Sequence, residues 1–178
     1  MIGSVRAATV GDADDIAIVH VTSWRETYPS IVPRSVLDGL STVERAERWR
    51  SILNRQGAYD ANFVACDHAG MIVGFASAGP QRYAASSYDG EIYAVYVLRC
   101  AQGRGLGRSL MGAMARSLCN SDRKSANVWV AARNIAACQF YASLGGRFVA
   151  VSSDVLGGVV IDAVAYGWDD LSNLARRR

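Results

Sequence analysis

The sequence has few of the residues that build metal sites and disulfide frameworks. Its 178 residues include only four cysteines, and no two of them form a CxxC pair; they are Cys66, Cys100, Cys119 and Cys138. Scattered cysteines are typical of reduced thiols, so we expect a cytoplasmic protein. The two histidines, His20 and His68, are too few and too far apart for a helical metal motif. We therefore expect no bound metal.

Long apolar runs and concentrated charge are also missing. The N-terminal residues contain no apolar stretch of the length that a signal peptide or a membrane span requires. The net charge is only +3, and part of it lies in the arginine tail at residues 176–178, which we interpret as a solvated end. In the segment VERAERWR, residues 43–50, arginines alternate with glutamates. A nucleic-acid surface needs a concentrated basic face, so we expect neither a nucleic-acid nor a membrane partner.

The composition is that of a globular domain. Hydrophobic residues make up 51% of the chain and charged residues 20%. A chain of this length can bury a core without metals or disulfides, and it shows neither a linker nor an internal repeat. The sequence therefore predicts a single domain over residues 1–178.

Strand and helix signals alternate along the chain in the order β-α-α-β-β-β-α-β-α-β-β. Thr9 followed by Asp12 resembles the start of a helix, and Ser41 with Thr42 begins a second one. The runs NFVAC and MIVGFASAG, separated by a DHAG turn, predict a β-hairpin. The sequence thus indicates a mixed α/β (α+β) protein.

The most informative segment is QGRGLGRSL, residues 102–110, which follows the apolar run EIYAVYVL and precedes a helical pattern. A glycine turn between a strand and a helix exposes free N–H groups at the positive end of the helix dipole, an arrangement that binds phosphate. A P-loop is excluded because no lysine lies near the turn. A dinucleotide fingerprint starting at Gly105 would require glycine or alanine where Leu110 stands. No GxSxG elbow of a serine hydrolase is present.

The pattern Gln102-x-x-Gly105-x-Gly107 resembles the [QR]xxGx[GA] pyrophosphate motif of the GNAT superfamily of N-acetyltransferases. The later segment VAARNIAACQFYASLGG resembles the second signature of that family, with Asn134, Phe140, Tyr141 and Gly145 in register. The resemblance implies a central, mixed but mostly antiparallel, twisted sheet of about seven strands flanked by about four helices. It also implies acetyl-CoA as co-substrate and acetyl transfer to a primary amine by direct attack on the thioester. The amine acceptor would be a small molecule or a protein.

The resemblance also implies which residues bind the co-substrate. Backbone N–H groups of residues 102–108 would hold the pyrophosphate, the N–H of Val95 the acetyl carbonyl, and Val97 the pantetheine arm. Arg104 is equally consistent with a solvated surface position, and Asn134 with a helix cap, a cofactor contact or both. The full predicted set is Val95, Tyr96, Val97, Gln102, Gly103, Arg104, Gly105, Leu106, Gly107, Arg108 and Asn134.

Two residues are candidate catalysts. Tyr141 aligns with the family's general acid, which protonates the departing thiolate; its alternative is a packed aromatic beside Phe140. Glu91 lies eleven residues before Gln102, the offset of a catalytic glutamate in histone-acetylating members. Strand alternation would place it on one face with Tyr93, Val95 and Val97 unless a bulge intervenes. There its carboxylate would take the amine proton, directly or through water. Its alternative is a solvated strand end.

The acceptor side is less defined. Trp24, Arg25 and Tyr28 lie near the end of the first helix and Tyr83 precedes the central strand, positions that line the acceptor groove in family members; aromatics at such spacing also pack in cores. An acidic groove would favour polyamines or aminoglycosides, whereas Arg25 or Arg82 nearby would favour an acid-bearing acceptor.

Two rival hypotheses for the function are a CoA-binding sensor without catalysis and an interaction module. Exposed edges of the C-terminal hairpin are candidates for pairing two chains into a homodimer.

Overall fold

The computed structural model describes residues 3–55, 61–83 and 86–176. Seven strands and six α-helices follow one another in the described ranges, with the bounds β1 Ser4–Ala7, α1 Ala13–Thr27, α2 Arg34–Asp38, α3 Thr42–Asn54, β2 Ala61–Cys66, β3 Ile72–Pro80, β4 Gly90–Val97, α4 Leu106–Asn120, β5 Ala126–Ala131, α5 Ile135–Ser143, β6 Arg147–Leu156, β7 Val159–Trp168 and α6 Ser172–Ala175. Short 3₁₀ turns lie at Val10–Asp12 and Arg99–Ala101.

All seven strands form one sheet in the order β1-β2-β3-β4-β5-β7-β6. Every neighbouring pair is antiparallel except β4 and β5, which are parallel. The predicted mixed, mostly antiparallel sheet and the predicted order of elements are confirmed. The four longer helices are the predicted ones. α2 and α6 are additions of five and four residues, too short to produce a periodic pattern.

The helices begin where side chains replace missing backbone partners. Asp12 accepts hydrogen bonds from the backbone N–H of Thr9 at 2.8 Å and from the Thr9 hydroxyl at 3.0 Å, and it forms an ion pair with Arg6. The Ser41 hydroxyl accepts from the N–H of Glu44, and the Asn134 side chain accepts from the third residue after it. These caps satisfy donors that the first helical turn leaves unpaired.

Helices cover the sheet on two faces. On one face, α4 buries a stripe of Leu106, Leu110, Met114 and Leu118, which recur at helical spacing. On the other face, α1 and α3 pack against Phe75 of β3 and its neighbours. Apolar burial of this kind provides most of the driving force for folding.

The strands β4 and β5 separate along their length. They pair only where Gly90–Ile92 faces Ala126–Val128, and beyond this point no pair joins them. Residues 94–97 of β4 stay paired to β3 but leave their other edge open. A wedge-shaped gap therefore opens in the middle of the sheet.

A β-bulge in β4 changes which residues share a face. Ala94 pairs with Ser77 and Ile92 with Ala78, so Tyr93 between them has no partner on β3. Because side chains alternate with a period of two, the extra residue shifts the pattern by one. Ile92 consequently packs in the same core as Val95 and Val97. The exception that the sequence analysis allowed for a bulge therefore applies, and Glu91 lies on the face opposite Val95 and Val97.

Candidate active site

The glycine turn leaves a row of backbone donors unpaired. The N–H of Gln102 donates to the carbonyl of Arg99, and the next backbone bond is donated by Ser109, to Gly105 at 3.0 Å. Within the described part of the chain, the six intervening amides, residues 103–108, make no backbone hydrogen bond. They lie at the N-terminus of the 15-residue helix α4, where the helix dipole also favours negative charge. The arrangement suits a pyrophosphate.

Two of the glycines are required by backbone conformation. Gly103 and Gly105 have φ of +74° and +81°, in the left-handed region that side chains disfavour. A Cβ at either residue would meet no atom within 4 Å, so the turn faces open space. Gly107 differs: a Cβ there would lie 3.2 Å from the Phe140 ring, so this glycine allows α4 and α5 to pack closely. Its amide is nevertheless part of the unpaired row.

The side chains of the glycine turn differ in whether they anchor the turn, pack in the core or line the cavity. The Gln102 side chain donates to the carbonyl of Val97 at 2.9 Å and so ties the turn to the end of β4. Leu106 is buried beneath the turn. Arg108 lines the cavity beside it, whereas Arg104 is exposed and lies outside the cavity wall.

The open edge of β4 provides further donors. The N–H of Leu98 donates to Val73 of β3 at 2.9 Å. Since successive residues of a strand point their backbone groups to opposite sides, the N–H groups of Val97 and Val95 point into the gap. Tyr96 points its backbone toward β3, and its side chain packs on the α1 face with its hydroxyl 3.3 Å from that of Tyr28. The predicted roles of the Val95 and Val97 amides are compatible with this geometry.

The gap and the turn form one cavity of about 750 Å³, which we call the turn cavity. Its walls are formed by residues 26–28, 93–97, 99, 101–103, 105–108, 128–131, 134, 136–137 and 140–141. A volume of this size is within the usual range for cofactor and ligand pockets.

Tyr141 and Asn134 both line the turn cavity. Tyr141 is only 5% exposed, and no hydrogen bond to its hydroxyl joins it to another described residue. Burial raises the pKa of this phenol above its ordinary value, so it keeps its proton at neutral pH. Asn134 is the N-cap of α5, and its position in the wall leaves the predicted cofactor contact open as well.

Glu91 lies outside the walls of the turn cavity, in a fully buried position. Its Oε2 accepts from the backbone N–H of Arg82 at 3.2 Å and from its Nε at 3.1 Å, while Oε1 accepts from its Nη2. The Arg82 guanidinium also stacks 4.5 Å from the centre of the Tyr93 ring. Glu91 therefore fixes Arg82 beside the bulged residue.

The four candidate acceptor residues are not brought together. Tyr28 lines the turn cavity, and Trp24 packs behind it with a ring separation of 4.9 Å. Arg25 donates to the carbonyls of Leu37 and Leu40, which fastens α1 to the α2 segment and directs it away from the cavity. Tyr83 is 60% exposed and lies outside the turn cavity.

The sequence analysis missed Trp129 in the wall of the turn cavity. Its indole Nε1 is buried and has no hydrogen-bond partner among the described residues. A buried donor without a partner is rare and suggests a ligand group. A tryptophan in a strand ordinarily signals core packing, so nothing in the local sequence distinguished it.

A second cavity, of about 560 Å³, was also missed. We call it the basic cavity; its arginines are Arg45, Arg48, Arg55 and Arg82. It shares Tyr93 and Ala94 with the turn cavity, so the two meet at the middle of β4.

Neither cavity contains a metal-binding cluster, since the described residues include no group of three or more His, Cys, Asp and Glu side chains placed to hold a metal. No described helix is long and apolar enough to cross a bilayer.

Comparison with known proteins gives a consistent family. The model of the FR47-like protein family matches residues 72–153, which include β4, the glycine turn and α5. The uncharacterised N-acetyltransferase YuaI of Bacillus subtilis (strain 168) is 39% identical over 171 residues, 96% of this chain and 95% of that protein.

Solved structures share the fold at lower identity. The yncA protein of Salmonella typhimurium, solved with acetyl-CoA, superposes with a TM-score of 0.70 at 20% identity, covering 97% of this chain and 95% of that one. The PaiA N-acetyltransferase of Thermoplasma acidophilum, in complex with coenzyme A, gives 0.70 at 14% identity, covering 94% and 100%. With its glycine turn, its splayed strands and a 39% identical N-acetyltransferase relative along nearly its whole length, the chain belongs to the GNAT superfamily of N-acetyltransferases.

Proposed function

We propose that this protein transfers the acetyl group of acetyl-CoA to a primary amine of a small molecule or protein. The observation that carries the proposal is the row of six unpaired amides, residues 103–108, beside the open edge of β4 in one cavity. The amides bind the pyrophosphate, with Arg108 adding positive charge at the cavity wall. The acetyl-CoA and coenzyme A in the structures of yncA and PaiA support the choice of donor.

The open edge of β4 orients the rest of the donor. The amide and carbonyl of Val97 lie toward the pantetheine arm, although the Gln102 side chain already donates to that carbonyl. The Val95 N–H points into the gap and donates to the acetyl carbonyl oxygen as negative charge develops there. One such preorganised donor is worth roughly 3 kcal/mol of barrier lowering.

The reaction is a direct attack. The amine nitrogen forms a bond to the acetyl carbon, the carbon–sulfur bond breaks, and the Tyr141 hydroxyl gives its proton to the departing thiolate. The phenol recovers a proton from solvent. No cysteine among the described residues lines the turn cavity, which favours direct transfer over an acetylated enzyme.

The amine must lose its own proton before it attacks. His20, which lines the basic cavity, is a poor base because burial and the neighbouring Arg45 and Arg48 lower its pKa to about 3. The described lining of the basic cavity also contains no aspartate or glutamate that could act as the base. We infer that water in the basic cavity takes the proton.

Glu91 has a role in this proposal that differs from the predicted one. Its oxygens are occupied by three donors of Arg82, which favours a positioning residue over a direct base. The general-base role remains a prediction, and the two roles give different pH profiles in the Glu91→Gln variant.

The alternative function is a CoA-binding sensor without catalysis. The buried Tyr141 hydroxyl, which faces the cavity without a hydrogen-bond partner among the described residues, favours catalysis because a sensor has no use for a proton donor there. The test is release of free thiol from acetyl-CoA in the presence of amines. Binding of acetyl-CoA without thiol release from any amine would favour the sensor.

The assembly and location belong to the same proposal. The strand β6 is an edge of the sheet and exposes Val151 and Val155, which are 71% and 64% exposed. An exposed apolar edge is suited to pairing with a second copy, so we propose a cytoplasmic homodimer of single-domain chains. Sedimentation velocity tests it: a species of one 19.1 kDa chain at all concentrations would exclude the dimer.

A further inference from the structure

The basic cavity opens beside the reacting centre. It shares Tyr93 and Ala94 with the turn cavity, and the next residue, Val95, carries the amide that points into the gap. A molecule in the basic cavity therefore lies next to the position at which the proposed function places the acetyl group. This cavity is the natural approach for the acceptor.

The charge of the basic cavity is of one sign. Four arginines line it, and its described lining contains no aspartate or glutamate. Only Arg82 is neutralised, by Glu91 behind the wall. Within the described ranges, no ion pair involves Arg45, Arg48 or Arg55.

Helical spacing explains how α3 produces this wall. Arg45, Arg48, Ile52 and Arg55 follow one another at intervals of three or four residues, so they form one stripe along the helix. Glu44 and Glu47 do not line the cavity, although Glu44 lies one turn before Arg48 and its charge partly offsets the lowering of the pKa of Arg45. Arg50 points elsewhere and pairs with Asp14 of α1 at 2.5 Å. The described lining of the cavity therefore contains Arg45, Arg48 and Arg55 but neither glutamate of α3.

Burial and the positive charge of the basic cavity lower the pKa of two basic side chains in its wall, Arg45 and His20. Burial lowers the pKa of Arg45, and the charge of Arg48 lowers it further. The same two guanidiniums help to lower the pKa of His20, whose Nδ1 accepts from the Trp49 indole at 3.3 Å. A second cation would add to this repulsion, whereas an anion would relieve it.

We propose that the acceptor is a small primary amine that also carries a carboxylate, held by Arg45, Arg48 and Arg55 while its amine points past Tyr93 toward Val95. The proposal rests on the proposed function. Guanidinium groups bind carboxylates through paired hydrogen bonds, and a volume of about 560 Å³ accommodates a molecule of amino-acid size. A phosphate would use the same donors, so the test includes both anions.

The test is calorimetric titration of the protein saturated with coenzyme A, which measures acceptor binding without turnover. The probes are L-amino acids each matched with its amide, ethanolamine phosphate matched with ethanolamine, and spermidine. At least one amino acid should bind ten or more times tighter than its amide, and the preference should shrink as salt rises. Tighter binding of ethanolamine phosphate than of any amino acid would overturn the carboxylate assignment. Equal binding of acids and amides, or tightest binding of spermidine, would overturn the anionic acceptor altogether.

Matched variants locate the site. Arg48→Gln, at an exposed position, and Arg45→Gln should each weaken binding of the selected amino acid at least tenfold. Arg50→Gln, on another face of the same helix, should leave it unchanged. If Arg48→Gln and Arg45→Gln bind the amino acid as wild type does, the site lies elsewhere and the proposal fails.

The outcome is separable from the proposed function. Titration with acetyl-CoA tests the donor site, which does not include Arg45, Arg48 or Arg55. Thiol release with amines of every charge tests the transfer, whichever acceptor the protein prefers. Thiol release without a preference for acidic amines would reject only this inference. Absence of acetyl-CoA binding would reject the transferase, while titration of the uncomplexed protein would still test the basic cavity.

Discussion

At the scale of single residues, Tyr141 is the sharpest test of the chemistry. Replacing it with phenylalanine removes the proton donor and keeps the ring packing, so kcat should fall roughly 100-fold while the Kd for acetyl-CoA changes less than twofold. Because burial raises the pKa of this phenol, its ionisation should not reduce the rate up to about pH 9. Steady-state kinetics and calorimetry measure both quantities.

The control for Tyr141 is Tyr166→Phe. This neighbouring ring lies 6.3 Å from Tyr141 but outside the turn cavity, so its kcat should match wild type. An equal loss in both variants, or none in Tyr141→Phe, would contradict the acid role.

Glu91 is tested by replacement with glutamine. A positioning role predicts a KM for the amine raised about tenfold at every pH, because Arg82 loses its partner, with little change in the shape of the pH profile of kcat. Arg82→Gln should reproduce the effect, since the two residues act together. A loss of kcat that grows as pH falls, with KM unchanged, would restore the general-base role predicted from the sequence.

At the scale of elements, the glycine turn carries the donor site. Gly105→Val should weaken acetyl-CoA binding about 100-fold, because a side chain at φ +81° strains the turn and misaligns the unpaired amides. Gly70→Val is the matched control: its φ is +85°, a Cβ there also meets open space, and it lies in the β2–β3 turn. Calorimetry should show normal binding for Gly70→Val; normal binding for Gly105→Val would refute the pyrophosphate assignment.

The start of α1 gives a prediction for stability. Hydrogen bonds from Arg6 and Thr9 lower the pKa of Asp12 to about 2, against an unfolded value of 3.8. A lowered folded pKa stabilises the protein above the unfolded pKa, and this stabilisation disappears as pH falls toward 2. Asp12→Asn should therefore reduce the free energy of unfolding by about 2 kcal/mol at pH 7, with the difference closing between about pH 4 and pH 2.

Urea denaturation at several pH values measures this difference. The control is Asp38→Asn, whose pair with Arg34 is exposed on both sides and should contribute less than about 0.5 kcal/mol. A pH-independent effect of Asp12→Asn would show that its ionisation does not stabilise the fold.

The elements that the sequence predicted are those that depend on local signals. The caps at Asp12, Ser41 and Asn134 and the glycine turn follow from neighbouring residues, and all are present. The bulge at Tyr93 was not predictable because it depends on pairing with β3, and it reversed the face expected for Glu91. Arg25 was misplaced for a similar reason: its carbonyl partners belong to the α2 segment, which lacks a periodic signal.

At the scale of the whole molecule, the proposed donor site and the proposed acceptor site are two cavities that meet at the middle of β4. The turn cavity lies in the gap between β4 and β5, and the basic cavity combines α3 with residues of β2, β3 and β4. The glycine turn of the first is encoded by one continuous segment, residues 102–108, and was predicted from its motif. The second joins residues from His20 to Ala94, so only the folded chain shows that its arginines converge.

The most direct test of the central claim is a titration of acetyl-CoA into the protein, followed by thiol release with amines added. The account predicts a Kd on the order of micromolar and release of one thiol per acetylated amine. Absence of both binding heat and thiol release would contradict the assignment of the glycine turn as a pyrophosphate site and, with it, the proposed acetyltransferase activity.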